Sequence, residues 1–307
     1  MKLSLPVKQG KLLSIIIVNW ERQTDTLECL RSISSQLTQY TRYAVILVDN
    51  ASREGIADVK RERFNFELTI IENARNLGFT GGNNVGFVEA EKKGTPFFLL
   101  LNNDTVVLDS SINRALEALM RESKYGVIGI VNYLYDRPKE IWQAGFTINV
   151  RNAKTQRVLA GKVAAEIVEV DYVPGSSMMI RAEALKKVGG FDDSYFAFWE
   201  EVDLCVRLKQ SGYRIGYLKD SRILHKVKSS TSSNLHLYLS TRNKLYFLRK
   251  HSSTCAILLA AVLAVSKFLL EKILRKERRK FKYVLMAIWD FHKRRMADCR
   301  VSEIMGS

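Results

Sequence analysis

The sequence lacks the features that mark several common protein classes. Its four cysteines are too far apart for a zinc knuckle or a C-x-x-C redox pair, so we expect reduced, mostly buried thiols of a cytosolic protein; they are Cys29, Cys205, Cys255 and Cys299. The N-terminus lacks the long apolar stretch of a signal peptide. The chain also carries neither the G-x-G-x-x-G dinucleotide pattern nor the Lys-Ser/Thr of a P-loop. A protein of the cytoplasmic side is therefore expected.

Positive charge is in excess. The 307 residues include 48 Lys and Arg against 32 Asp and Glu, which gives a net charge of +16. Such a surplus favours anionic partners, namely nucleic acid, an anionic membrane or phosphorylated substrates. It concentrates beside apolar sequence late in the chain, which favours a membrane surface over nucleic acid; the residues are Lys272, Arg275, Lys276, Arg278, Arg279, Lys280, Lys282, Lys293, Arg294 and Arg295. With 47% apolar residues, a packed core is expected and global disorder is not.

Short apolar runs alternate with helical patterns in the first half of the chain. Strands are predicted at residues 13–18, 45–48, 68–71 and 97–101. Helices are predicted from Thr24 onward and over residues 82–93. This order predicts an α/β fold with a mostly parallel sheet flanked by helices. Beyond residue 125 the pattern predicts antiparallel strands joined to the sheet, then a helix and a last strand; the segments are 142–150, 163–173, 200–211 and 213–218.

The composition changes again near Ser229, where we place a domain boundary. Residues 1–230 form the larger domain, with halves of about 1–125 and 126–230, and residues 231–307 form a helical, basic C-terminal region. The apolar stretch 255–265 is interrupted by Ser266 and Lys267, so it falls short of the roughly 20 residues that cross a bilayer. Together with a second apolar and aromatic stretch at 281–291, it predicts a peripheral membrane anchor. An ordinary helical subdomain packed on protein is the alternative.

Polar residues follow each predicted strand of the first half. Asn19 follows the first strand, Asp49 and Asn50 the second, residues 73–76 the third and residues 102–104 the fourth. Because ligands of open α/β sheets bind at the C-terminal strand ends, the four ends predict one shared site. For any single strand end, a helix cap or turn is an equally good interpretation. The third end continues into a glycine-rich segment that opens a helix, whose N-terminus can face a phosphate.

The fourth strand end carries candidate metal ligands. Asn102, Asn103 and Asp104 offer the oxygen ligands that Mg²⁺ and Mn²⁺ prefer. A diphosphate leaving group needs such a cation, because negative charge develops on it as the bond breaks. One carboxylate is too few ligands for a metal site, so the phosphates of the diphosphate would add oxygens and His225 could complete the coordination shell. A lone histidine is more often a surface or core residue.

An acidic block follows a run of aromatic residues that includes Phe196, Phe198 and Trp199. Adjacent carboxylates such as Glu200 and Glu201 repel one another, and an apolar wall raises the pKa of a carboxyl group, as a general base requires. An aromatic wall can also bind a sugar face. The alternative is a helix N-terminus, whose dipole favours acidic residues.

An ordered series of motifs extends from about residue 13 to residue 245. It comprises Ile16-Ile17-Val18-Asn19-Trp20, Val48-Asp49-Asn50-Ala51-Ser52, residues 73–83, Leu101-Asn102-Asn103-Asp104, Pro174-Gly175-Ser176-Ser177-Met178, Gly189-Gly190-Phe191-Asp192, Trp199-Glu200-Glu201-Val202-Asp203-Leu204-Cys205, His225 and Thr241-Arg242-Asn243. Each motif is weak alone. The ordered set resembles the family 2 glycosyltransferases with the GT-A fold, especially their rhamnosyltransferase-like branch.

The resemblance implies roles for individual residues. It assigns donor binding to Asn19, Trp20, Asp49, Asn50, Arg75, Asn76, Gly78, Asn83 and Asn103. It assigns acceptor binding to Gly175, Trp199 and Asp203. Asp104 matches the last Asp of the D-x-D metal motif, whose first position is here an asparagine, and His225 matches the late metal-binding His, so Mg²⁺ or Mn²⁺ is the implied cofactor. Glu201 stands where the family has the Asp of its Glu-Asp pair, which leaves Glu200 or Glu201 as the catalytic base.

These roles lead to an inverting glycosyltransferase. It would move a sugar, rhamnose from dTDP-rhamnose or another dTDP- or UDP-sugar, to a hydroxyl of a cell-surface glycan or lipid-linked saccharide. The inner face of the cell membrane is a further expected partner, nucleic acid is not, and an oligomer is left open. A sugar-phosphate nucleotidyltransferase would need a basic, Gly-rich loop straight after the first strand, where Asn19-Trp20-Glu21 stands. A non-catalytic membrane- or anion-binding protein leaves the aromatic and acidic block unexplained.

Overall fold

The computed structural model describes residues 12–36, 43–158, 165–227, 232–274, 280–298 and 300–305. Its strands are β1 (Leu13–Asn19), β2 (Tyr43–Asp49), β3 (Glu67–Glu72), β4 (Phe97–Asn102), β5 (Thr105–Val107), β6 (Tyr125–Leu134), β7 (Ile141–Gln143), β8 (Gly145–Asn149), β9 (Lys154–Val158), β10 (Ile167–Val170), β11 (Ser177–Arg181) and β12 (Arg214–His225). Its helices are α1 (Gln23–Gln36), α2 (Ala57–Arg61), α3 (Gly78–Lys92), α4 (Ser111–Arg121), α5 (Ala182–Val188), α6 (Glu200–Gln210), α7 (Ser233–His251), α8 (Thr254–Leu274), α9 (Phe281–His292) and α10 (Val301–Met305).

Ten of the described strands form one large sheet in the order β10-β12-β6-β11-β4-β1-β2-β3, with β5 on β12 and β7 on β6. The four strands β3, β2, β1 and β4 are parallel, so that Ile16 lies opposite Ile46 on one side and Leu100 on the other. Beyond β4 the sheet is mixed, because β11 runs antiparallel to both of its neighbours. The predicted α/β fold, a mostly parallel sheet flanked by helices, is confirmed.

Strand β1 is apolar at every position from Leu13 to Val18 except Ser14, whose hydroxyl lies 2.8 Å from that of Thr95. Leu13, Ile15 and Ile17 pack into the core under α1 and α4, whereas Ile16 packs into the opposite core beneath α3. Both faces of the strand are buried, and only Val18, at the cavity, is partly exposed. Each such side chain contributes roughly 1.5–3 kcal/mol of burial free energy, so the run fixes the strand at the centre of the sheet.

The second half of the sheet differs in detail from the prediction. The strands β7 and β10 join the sheet antiparallel, as expected, but β8 pairs with β9 in a separate hairpin. Phe146 of this hairpin stacks on Tyr172 with ring centroids 4.9 Å apart and forms an isolated antiparallel bridge with it, so the hairpin contacts the chain just after β10. Residues 163–164 of the predicted segment lie outside the described residues. The predicted last strand is longer than expected, because β12 resumes after a register shift beyond Leu218 and ends at His225.

Two of the cysteines are core residues. Cys29 and Cys205 are buried, and burial raises the pKa of both thiols to about 12. Cys255 is an exposed free thiol, and Cys299 lies outside the described residues. The buried pair therefore has the inert, unionised character of core thiols.

The C-terminal helices begin with α7, which packs on the sheet domain. Its residues Phe247 and Leu248 belong to the core that α6 also enters, while Leu235 and Tyr238 pack against α9. The domain boundary near residue 230 stays a prediction. No helix in the described ranges is both long enough and apolar enough to span a bilayer. Four of the ten residues of the late basic cluster, at positions 275–279, lie outside those ranges.

Candidate active site

A cavity of about 520 Å³ opens at the C-terminal ends of β1, β2 and β4, in the size range of small-molecule sites. Parallel strands bring their ends to one edge, so residues far apart in sequence meet there. Most of the predicted site residues line it: Trp20, Asn50, Asn76, Gly78, Asn83, Asn103, Asp104, Gly175, Glu200, Glu201 and His225.

Asn19 and Asp49 lie behind the cavity wall. The Asn19 amide donates to Asp49 Oδ1 at 2.7 Å, and the Thr26 hydroxyl donates to Asn19 Oδ1 at 2.7 Å. The Ser52 hydroxyl donates to Asp49 Oδ1 at 2.6 Å. Both side chains are buried, so in this arrangement they tie the ends of β1 and β2 together and hold the loop that carries Trp20.

Asn50 organises the glycine-rich segment. Its Nδ2 donates to Asn76 Oδ1 at 2.9 Å and to the Gly78 carbonyl at 3.0 Å, and its Oδ1 accepts from Leu77 N at 3.0 Å. Gly78 has a φ of +73°, and a Cβ there would lie 2.4 Å from the carbonyl oxygen of Phe196, so both the backbone conformation and the space require glycine. Arg75, the predicted donor residue beside this segment, points away from the cavity and pairs with Asp298 at 2.9 Å.

Asp104 and His225 meet at the other side of the cavity, because β5 pairs with the end of β12. Asp104 Oδ1 and His225 Nε2 are 3.3 Å apart, and the Asn102 amide lies 3.2 Å from the same nitrogen. Burial lowers the pKa of His225, although the Asp104 charge opposes the shift, so the ring is held neutral, as metal ligation requires. The Trp142 ring packs on the imidazole at 4.5 Å and fixes its plane.

The residues present fit a small divalent cation. Two ligands at adjacent octahedral positions, each about 2.1 Å from Mg²⁺, are roughly 3 Å apart, close to the Asp104–His225 separation. The backbone N–H of Val227 donates to His225 Nδ1 at 3.0 Å, so in the neutral ring the proton lies on Nε2, facing Asp104. A cation would take the place of that proton. The described residues contain no group of three or more metal-ligating side chains, so phosphate and water oxygens must complete the shell.

Glu200 and Glu201 begin α6 and line the cavity opposite these ligands. Burial raises the pKa of both carboxyl groups, and the charge of Glu201 raises the pKa of Glu200 further. In each of them Oε2 is buried without a hydrogen-bond partner among the described residues. A carboxylate that is poorly solvated and unpaired is a strong base for its type.

Asp203 and Trp199, both predicted to bind acceptor, are placed elsewhere. Asp203 is fully buried, accepts from Arg207 Nε at 2.7 Å and lies 2.7 Å from Lys250 Nζ. Burial alone would raise the pKa of Asp203, but the hydrogen bond from His251 and the charges of Arg207 and Lys250 outweigh it and lower the pKa. Trp199 packs on Phe247 at 5.3 Å. Neither side chain lines the cavity: Asp203 lies two residues beyond Glu201, about 200° around the helix, and Trp199 precedes the first turn.

Several residues that the sequence did not single out line the cavity as well. They are Arg22, Trp142, Gln143, Val227, Leu235 and His236, beside Phe196 and Phe198 of the predicted aromatic run. Arg22 lies three residues beyond the end of β1 and pairs with Asp25 at 3.6 Å, which places a cation in the cavity wall. The scarcity of histidine could have pointed to His236; the others lie on β7, on α7 and in the segments after β1 and β12, which only the fold brings together.

Polar strand ends, the Asp104–His225 pair and an acidic pair therefore meet at one cavity at the edge of an α/β sheet, the arrangement of an α/β transferase. The chain belongs to the glycosyltransferase-like family 2, whose model matches residues 10–247. The predicted family and GT-A-type fold are thereby confirmed. The family match favours sugar transfer over the nucleotidyltransferase and over the non-catalytic binder.

Two curated relatives are similar over most of the chain. The low-salt glycan biosynthesis hexosyltransferase Agl10 of Haloferax volcanii is 25% identical over 245 residues, which cover 76% of this chain and 74% of the relative. The N-acetylglucosaminyl-diphospho-decaprenol L-rhamnosyltransferase of Mycobacterium tuberculosis is 24% identical over 222 residues, which cover 66% and 72%. One name describes hexosyl transfer without a particular sugar and the other describes rhamnosyl transfer, so the two relatives share glycosyl transfer and identify no common donor.

Solved structures share the fold. The mannosyltransferase PcManGT of Pyrobaculum calidifontis, in complex with GDP-Man and Mn²⁺, aligns with a TM-score of 0.60 at 14% identity, over 93% of this chain and 88% of its own. TarS residues 1–349 of S. aureus, in complex with UDP-GlcNAc, aligns with a TM-score of 0.59 at 15% identity, over 91% and 80%. At such identities the likeness shows the GT-A fold alone.

Proposed function

We propose that the protein is an inverting, metal-dependent glycosyltransferase that moves a sugar, rhamnose from dTDP-rhamnose or another sugar from a dTDP- or UDP-donor, to a hydroxyl of a saccharide or lipid-linked acceptor. The observation that carries the proposal is one cavity with Asp104 and His225 on one side and two carboxyl groups of raised pKa on the other. A donor diphosphate needs the first pair, and an acceptor hydroxyl needs the second. The similarity to a rhamnosyltransferase supports the choice of donor.

Glu201 is the proposed base. Glu200 is only 6% exposed, whereas Glu201 is half-buried and therefore more accessible to an acceptor hydroxyl. The Glu201 carboxylate takes the acceptor O–H proton while that oxygen forms a bond to the anomeric carbon. The bond from that carbon to the diphosphate oxygen breaks, its electron pair leaves with the nucleoside diphosphate, and attack from the opposite face inverts the configuration.

The leaving diphosphate needs positive charge, and this chain offers two sources. Mg²⁺ or Mn²⁺ held by Asp104 and His225 would stabilise the charge that develops on the diphosphate. Arg22, whose side chain lines the same cavity, adds a fixed cation. Asn50 and Asn76 shape the glycine-rich wall that the nucleoside would contact.

Release of nucleoside diphosphate from dTDP-rhamnose and from UDP-sugars, with Mn²⁺ and with EDTA, tests the proposal. We expect one of these donors to be turned over and EDTA to abolish the turnover. Turnover that is unaffected by EDTA would contradict the cation site, and a lack of turnover with every donor, alone and with saccharide acceptors, would contradict the enzyme.

We also propose that the C-terminal helices hold the enzyme on the cytoplasmic face of an anionic membrane, near a lipid-linked acceptor. An apolar face of α8 carries four side chains that are 56–63% exposed: Leu258, Leu259, Val262 and Leu263. On α9, Trp289 is 53% exposed beneath Lys293, whose ammonium lies 4.8 Å from the ring centroid. Exposed apolar side chains bordered by cations suit a surface of acyl chains and anionic headgroups.

Co-sedimentation with vesicles rich in phosphatidylglycerol tests this attachment on the full chain. The double variant Leu259→Ser/Leu263→Ser should shift the protein to the soluble fraction, whereas Val88→Ser, which changes an equally exposed residue on α3, should not. Salt should weaken the binding without abolishing it, since apolar insertion is not screened. Equal recovery of all three proteins in the soluble fraction at low salt would show that these helices pack on another protein.

A further inference from the structure

The segment that leads into the catalytic pair is strained. Phe196, Phe198 and Trp199 have φ values of +66°, +70° and +77°, although none of them is glycine. At Phe196, with ψ of −58°, the Ala197 N–H donates to the Tyr195 carbonyl at 2.8 Å, which closes a γ-turn of the rare kind with positive φ. Such conformations cost about 1–3 kcal/mol each and persist only where surrounding groups impose them.

A single side chain of α7 provides most of that restraint. Nδ2 of Asn243 lies 2.8 Å from the Tyr195 carbonyl oxygen, 2.8 Å from that of Ala197 and 2.9 Å from that of Phe198. The side chain is fully buried. Two N–H groups thus serve three carbonyl groups of the turn, which no apolar side chain of similar size could do.

The orientation of the Asn243 amide is itself fixed. The guanidinium of Arg242, which is also fully buried, donates from Nε to Asn243 Oδ1 at 3.0 Å and from Nη2 to the Tyr195 carbonyl at 3.1 Å. The remaining carbonyl of the segment, that of Phe196, accepts from Thr80 N at 3.1 Å on the opposite side. The carbonyl groups of residues 195–198 are therefore all held from outside the segment.

We infer that Asn243 is a positioning residue for sugar transfer, which sets the angle at which Glu200 and Glu201 enter the cavity by holding the strained turn directly before them. The inference rests on the proposed function. The turn also carries Phe196 and Phe198 into the cavity wall, so the same contact shapes the acceptor side. The donor side depends on other elements, namely Asn50 and the start of α3. Loss of the restraint should therefore affect the chemical step and spare donor binding.

The test compares Asn243→Asp, which keeps the shape of the side chain and removes both donors, with Tyr238→Phe. Tyr238 is an equally buried residue on the same helix, and its hydroxyl donates to Asp290 at 3.0 Å, away from the turn. Asn243→Ser replaces the aspartate variant if that variant does not fold. For each protein, kcat and KM for dTDP-rhamnose (or the UDP-sugar that the wild type uses), dTDP affinity with Mn²⁺ and the thermal midpoint are measured.

In the Asn243 variant we expect kcat to fall by roughly 10- to 100-fold, the scale of a misplaced catalytic group, with donor KM and dTDP affinity within about twofold of wild type. Tyr238→Phe should lower the thermal midpoint and keep its kcat. An Asn243 variant that retains half of the wild-type kcat would overturn the inference, as would equal losses of kcat in both variants.

Hydrogen exchange separates this inference from the proposed function. Amides of residues 195–201 should exchange faster in the Asn243 variant than in wild type or Tyr238→Phe, whether or not a donor is turned over. Wild-type protein that turns over no donor would refute the proposed function alone. Unchanged exchange in this segment would refute the role of Asn243 in holding the turn.

Discussion

The substitution Glu201→Gln tests the proposed mechanism most directly. Glutamine keeps the shape of the side chain and removes its capacity to take a proton. Oε2 of Glu201 has no hydrogen-bond partner among the described residues, so the change breaks no contact of that atom in the structure. Loss of a general base costs about 10²- to 10⁴-fold in rate, or roughly 3–5 kcal/mol of transition-state stabilisation at 1.36 kcal/mol per factor of ten.

The assay is nucleoside diphosphate release from the donor, with dTDP binding as its control. We expect kcat to fall at least a hundredfold in Glu201→Gln and the dTDP affinity to stay unchanged, because Asp104 and His225 remain in place. Glu200→Gln is the matched variant and should lose less. A larger loss in Glu200→Gln would exchange the two roles, and full activity in both variants would refute the reasoning.

Stability distinguishes a catalytic loss from a structural one. Burial raises the pKa of Glu201, so above the ordinary carboxyl range the folded protein retains a proton that the unfolded chain has released. The free energy of unfolding therefore falls as pH rises from that range through the folded pKa. Glutamine cannot ionise, so the variant should unfold at pH 7 at the same temperature as wild type or higher. A lower thermal midpoint would show that the carboxylate has a structural role.

Three further predictions concern the rest of the site. Asp104→Ala should abolish the Mn²⁺-dependent part of dTDP affinity in calorimetry; an unchanged Mn²⁺ effect would contradict the cation site. Gly78→Ala should lower the free energy of unfolding, measured with denaturant, by more than about 2 kcal/mol, because its Cβ would lie 2.4 Å from the Phe196 carbonyl oxygen. The control Gly94→Ala, at a residue with a φ of +66° and open space around it, should lower it by only about 1 kcal/mol. Asp203→Asn breaks a buried ion cluster and should lower the free energy of unfolding by roughly 3–5 kcal/mol at pH 7. Because the folded pKa of Asp203 is lowered, this loss should shrink as pH falls below the ordinary carboxyl range. An altered acceptor KM with an unchanged thermal midpoint would instead support acceptor binding.

Local sequence was sufficient where one physical rule acted alone. The run from Leu13 to Val18 predicted a strand buried on both faces, because five of its six side chains are large and apolar and lie on both sides of the strand. The polar residues after the strands predicted the edge of the sheet where the cavity lies, because parallel strands end together. The same reasoning could not separate Asp203 from Glu200 and Glu201, since three carboxylates in four residues look alike until the helix turns one of them into the interior.

The sequence by itself determined the alternation of strands and helices, the ordered motifs of the family, and the residue types that a nucleotide-sugar site needs. Those properties follow from short-range periodicity and from chemistry that a few adjacent residues carry. Only the tertiary structure decided which polar side chains face the cavity and which ones, like Asn19 and Asp49, support it from behind. It alone brought Asn243 beneath the turn at Phe196, 47 residues earlier in the chain, because a restraint between distant segments has no signature in either segment alone.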